Sequence, residues 1–84
     1  MVKIYTSAVC NWSLGSGGIG SMDKNLGGFN NEMECIEACQ ATGGNGVTMK
    51  EDGSNAGECW CEAAQTSTSS VSGYKNCLFS NLNG

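Results

Sequence analysis

Three features of the sequence predict a small disulfide-rich α+β domain, with an antiparallel sheet packed on one α-helix. Six cysteines are crowded into 84 residues. One segment, about 31–42, reads as a capped helix and carries two of those cysteines four residues apart. The rest breaks into short strand-like runs separated by turn residues. The chain also holds 13 Gly and is 39% hydrophobic, below the roughly 45–50% of an average globular chain. Ordering such a backbone costs more entropy while burying less surface. A core of this size supplies on the order of 3–5 kcal/mol, so crosslinks are the expected supplement. The length allows one domain, spanning residues 1–84.

From the N-terminus, residues 1–9 alternate. Val2, Ile4 and Thr6 fall on one side and Lys3, Tyr5 and Ser7 on the other, a half-buried strand. Residues 15–28 follow as a glycine-rich loop. Gly15-Ser-Gly-Gly-Ile-Gly20 matches the letters of a dinucleotide fingerprint, but a chain this short has no room for the surrounding βαβ domain. The helix begins at Asn31, an N-cap with a capping-box acid at Glu34, and stops at Gly43-Gly44. Cys35, Ile36, Ala38 and Cys39 share one face, while Glu34 and Glu37 point away. Val47 to Lys50 and Glu58 to Glu62 read as two strands joined by a polar turn, with Lys50 expected to pair with Glu58 or Glu62. In that turn Ser54 and Ala56 stand where an EF-hand needs ligands, so it is not read as a calcium loop. Residues 65–73 form a Ser/Thr-rich stretch without periodicity, read as a surface loop open to O-glycosylation. Tyr74 to Phe79 closes the domain as a strand placed to pair with the first.

The even number of cysteines indicates a disulfide framework and an oxidising compartment. A zinc site from Cys35-x3-Cys39 and Cys59-x-Cys61 would have the wrong spacing for structural knuckles and would strand Cys10 and Cys77. Cys35 and Cys39 project from one helix face, and Cys59 and Cys61 from one strand face. The predicted scheme is therefore Cys10–Cys77 closing the ends, with Cys35 and Cys39 bridged to Cys61 and Cys59 in an order left open.

Composition excludes several functions. Without His, neither a Ser-His-Asp site nor a histidine-ligated metal can be built. The net charge of −4, from four Lys and no Arg against eight acids, argues against nucleic acid and anionic membranes as partners. No apolar run is long enough for membrane insertion, and no signal peptide is visible. Met1 directly before Val2-Lys3-Ile4 suggests a mature domain behind an initiator Met. No cofactor or metal is called for, and no convergent acid pair can be read, so no enzyme is expected.

Together, Glu34-Cys35-x3-Cys39, Asn45-Gly-Val-Thr48, Gly57-Glu-Cys-Trp-Cys61 and the bracketing Cys10 and Cys77 resemble the PAN/apple superfamily over nearly the whole chain. One departure is the lack of a cysteine around Gly44 to Val47, in place of which the strand carries Cys59-x-Cys61. The resemblance implies a small sheet embracing one helix, bridged to it by disulfides. It further implies an extracellular, non-catalytic module that binds protein or carbohydrate.

With its cysteines facing the helix, strand 58–62 turns Trp60 the other way, between Glu58 and Glu62. That Trp is the leading candidate for a binding surface, able to stack on a sugar or anchor a protein. The bland alternative is that the glycine-rich loop or a neighbouring strand covers it, forming a second small core. Trp12 and Tyr74 face the same choice. Asn11-Trp12-Ser13 is a sequon for N-glycosylation at Asn11. The expected function is a secreted recognition module for an extracellular protein or glycan. The alternative is a free secreted effector (a toxin, defence or signalling polypeptide) acting on a receptor.

Overall fold

A computed structural model describes residues 10, 12–20 and 22–79 of the protein. The predicted strand at 1–9 and the sequon Asn11 lie outside those residues. The chain forms β1 (Ser13–Ile19), β2 (Met22–Gly28), α1 (Glu32–Ala41), β3 (Gly46–Lys50), β4 (Glu58–Ala63) and β5 (Ser67–Leu78). The strands make one five-stranded antiparallel sheet in the order β1-β5-β3-β4-β2. The described residues make a small disulfide-rich domain of one sheet and one helix.

The helix forms where its caps dictate. Asn31 is extended, and its side chain accepts the Glu34 N–H at 2.9 Å while donating to Glu34 Oε1 at 2.8 Å. At the other end, the Thr42 and Gly43 N–H groups donate to Cys39 O and Gln40 O. Cys35, Ile36 and Cys39 are buried with Val47, Met49, Cys59, Cys61, Cys77 and Phe79, so helix and sheet share one core. Three bridges run through it: Cys10–Cys77, Cys35–Cys59 and Cys39–Cys61, with Cα separations of 5.7, 5.9 and 5.1 Å. The structure thus supplies the order of the two inner bridges. In the chain-entropy model, closing 67 residues between Cys10 and Cys77 is worth about 4 kcal/mol.

Two segments predicted as loops are strands. Residues 15–28 supply most of β1 and all of β2, and residues 65–73 supply the first half of β5. Their ladders are backbone hydrogen bonds, which leave no side-chain periodicity when the residues are Gly or when both faces are exposed. The closing strand pairs with β1 and β3; its predicted pairing with the strand at 1–9 lies outside the described residues. Lys50 meets Asp52 at 3.9 Å and lies over the Tyr74 ring, not against Glu58 or Glu62, because the chain turns there and Tyr74 is its partner across β5.

The topology forces the sheet to curl. β1 and β2 are consecutive yet occupy opposite edges. In a flat sheet those edges would lie about 19 Å apart at ~4.8 Å per strand. Only three residue steps separate Ile19 from Met22, a reach of at most about 10 Å. The sheet therefore wraps around the face turned away from the helix.

Gly44 follows the helix against the Cys39–Cys61 bridge, and a Cβ there would overlap both sulfurs and approach Glu62 O to 3.0 Å. Gly28 has nothing within 4 Å of such a Cβ. Gly44→Ala is expected to destabilise the domain by about 2 kcal/mol or more, with Gly28→Ala within ~0.5 kcal/mol of the parent. Urea melts of the two variants check this pair.

Candidate functional site

Strand alternation divides the sheet into two faces. Val47, Met49, Cys59, Cys61 and Cys77 face the helix, so Thr48, Trp60, Glu62, Tyr74 and Asn76 occupy the opposite face. The second face is polar and still largely buried: Ser16, Thr48, Glu62, Gln65 and Asn76 are each 7% exposed or less.

Its polar groups satisfy one another. Thr48 Oγ1 donates to Glu62 Oε2 at 2.8 Å and accepts from Gly18 N at 3.2 Å and Asn76 Nδ2 at 3.0 Å, using its one donor and both lone pairs. Asn76 and Gln65 form a reciprocal amide pair, with Gln65 Nε2 donating to Asn76 Oδ1 at 2.6 Å and Asn76 Nδ2 to Gln65 Oε1 at 3.0 Å. Asn76 Nδ2 also reaches Val47 O. Gln65 is held in place through its backbone, whose N–H donates to Asn45 Oδ1 at 2.7 Å. No buried side-chain N or O among the described residues lacks a partner.

The glycines of β1 make this layer possible. A Cβ on Gly18 would stand 2.9 Å from the Glu62 carboxyl carbon and 2.8 Å from the Gln65 amide carbon. Only a bare backbone fits against those two side chains.

Beside this network lies a cleft of about 250 Å³. Trp60 and Tyr74 line it with their rings edge to face, centroids 5.6 Å apart and planes at 63°. Asp23, Thr48 and Glu62 contribute its polar lining, and Gly17, Gly18, Ser69 and Val71 its remainder. Asp23 and Glu62 are direct partners across the β2–β4 ladder. Burial pushes the Glu62 carboxyl above the ordinary carboxylate value, the Thr48 hydrogen bond pulls it down, and the nearby Asp23 charge raises it further.

The predicted surface residues thus separate into three places. Trp60, Glu62 and Tyr74 share the cleft. Trp60 is half-buried, between the open and covered readings. Glu58 lies on the same strand but accepts from Asn25 at 3.2 Å and lines a different depression, with Gly28 and residues 54–56. Trp12 stands under Lys75, which also pairs with Glu32 of the helix, and lines a separate hollow of about 510 Å³ with Cys10 and Ile36. Asp23 and Thr48 carried no sequence signal, since the first sits in the glycine-rich stretch and the second in an apolar strand. All six cysteines are in bridges. Among the described residues no group of three or more metal-ligating side chains occurs, and no helix is long and apolar enough to cross a membrane.

The raised Glu62 carboxyl sets a sign for pH dependence. The folded state binds this proton more tightly than the unfolded chain, whose value is near 4.5. The resulting stabilisation is complete below that value and is lost as pH rises through the folded-state pKa. Glu62→Gln keeps an acceptor for Thr48 and removes the titration. Urea midpoints from acid to neutral pH should therefore fall more steeply for the parent than for the variant.

No protein-family model matches the chain, and neither does any curated protein or solved structure.

Proposed function

We propose that the protein is a secreted, non-catalytic recognition module of PAN/apple-like kind that binds an extracellular protein or carbohydrate through the Trp60–Tyr74 cleft. The observation that carries this reading is the aromatic pair, half-buried beside carboxylates in a concave site. Apolar rings with a few placed polar groups are the usual make-up of a binding site. Trp and Tyr are over-represented among residues that dominate binding energy. Three disulfides in so small a chain agree with an oxidising, extracellular setting. The network behind the rings is closed on itself, a rigid backing that lets a ligand bind without ordering the site.

The acid pair does not suggest hydrolysis. Asp23 and Glu62 are neighbours on adjacent strands, side by side rather than flanking a bond from opposite walls. Thr48 donates to Glu62, but its hydroxyl also accepts from Gly18 N and Asn76 Nδ2, so both lone pairs are engaged and it is not free to attack.

Glycan arrays and pull-downs from extracellular extracts identify the ligand class. Trp60→Ala is expected to weaken binding by about tenfold or more, and Trp12→Ala, in the other hollow, to leave it unchanged. Binding that survives Trp60→Ala, with the variant folded by circular dichroism, would place the surface elsewhere.

A further inference from the structure

We infer that the cleft takes a protonated alkylamine, the side chain of a lysine presented by a protein partner, with its ammonium on Glu62 and Asp23 and its stem along Trp60 and Tyr74. This rests on the recognition reading above and names its ligand chemistry. The first ground is charge. Glu62 is 3% exposed and lines the cleft, yet neither it nor Asp23 enters an ion pair among the described residues. A buried carboxylate without a cation is held at a cost that an incoming cation removes. The second ground is the aromatic lining, since ring faces attract cations and most strongly those of Trp.

The third ground separates a cation from a neutral sugar. A sugar needs free donors and acceptors for its hydroxyls. Thr48, Asn76 and Gln65 already spend theirs on one another, and the Gly18 N–H is given to Thr48. Beyond the Ser69 and Tyr74 hydroxyls and the Trp60 N–H, what the cleft offers is negative charge and ring surface. A volume of about 250 Å³ accommodates a butylammonium group with room for water. Lys50 stays outside the lining, over the Tyr74 ring and beside Asp52.

Protons compete with such a ligand for Glu62. The groups facing Glu62 are Asp23 from β2, Thr48 from β3 and the backbone of Gly18 from β1, with Tyr74 from β5 across the cleft. Its burial-raised carboxyl must be ionised to hold the amine. Affinity therefore falls as pH drops through the folded-state value.

The test titrates the intact, disulfide-bonded protein at low salt with Nα-acetyl-lysine methylamide, its Nε-acetylated analogue, glucosamine and glucose, followed by NMR shifts of the Trp60 indole. The lysine derivative should bind and the acetylated analogue should not. Glu62→Gln should raise Kd by about tenfold or more and abolish the pH step, and Asp23→Asn should weaken binding less and keep the step. Equal binding of the acetylated analogue, or an unchanged Kd in Glu62→Gln, overturns the proposal. Trp60-dependent binding of glucose or glucosamine without the lysine derivative also overturns it while leaving the recognition reading intact. If no ligand of any class depends on Trp60, both fall.

Discussion

The structure depends on one match of spacings. Cysteines four apart on a helix lie about 5–6 Å from each other, and cysteines two apart on a strand about 6.6–6.8 Å. These distances are close enough for two bridges, Cys35–Cys59 and Cys39–Cys61, to form side by side and clamp α1 along β4. That clamp decides which face of β4 is covered. Once the cysteines turn toward the helix, alternation sends Trp60 and Glu62 to the opposite face. The aromatic cleft and the buried carboxylate are consequences of where the crosslinks sit.

The second face then needs its own cover, and a chain with 13 glycines provides one. Backbone from β1 donates to Thr48 and lies against Glu62 and Gln65 at distances no side chain would permit. Such a layer buries little apolar surface, so it contributes mainly by satisfying polar groups and excluding water. The covalent side of the domain supplies crosslinked rigidity, and the polar side supplies shape. A site between them can keep an uncompensated carboxylate because the surrounding structure is held independently of it.

Legibility followed this division. The helix, its Asn31 cap and the β3–β4 hairpin were readable because their signals are local: a capping residue, a period, a turn. The β1 and β2 strands were not, since glycine erases alternation and their order comes from ladders to distant partners. The bridge order follows from chain direction. Short links at 29–31 and 42–45 make the helix run opposite to both β2 and β3. Those two strands are antiparallel to β4, so α1 and β4 point the same way and Cys35 must meet Cys59 rather than Cys61. Of the candidate site, Trp60, Tyr74 and Glu62 were identified from the strand pattern. Asp23, Thr48 and the burial of Glu62 were not, because they arise when residues 23, 48 and 62 converge across three strands.

By itself, then, the sequence determined the chemistry available and its local placement: six cysteines in pairs, no histidine, one capped helix, and a tryptophan pointing away from its flanking cysteines. Only the tertiary structure decided the bridge order, the curl of the sheet and the meeting of two rings with two carboxylates. Spacing along a chain constrains what lies on one face of one element. Which faces meet depends on chain direction and on how closely backbones approach, and at the glycines of β1 that approach is set by the absence of a side chain.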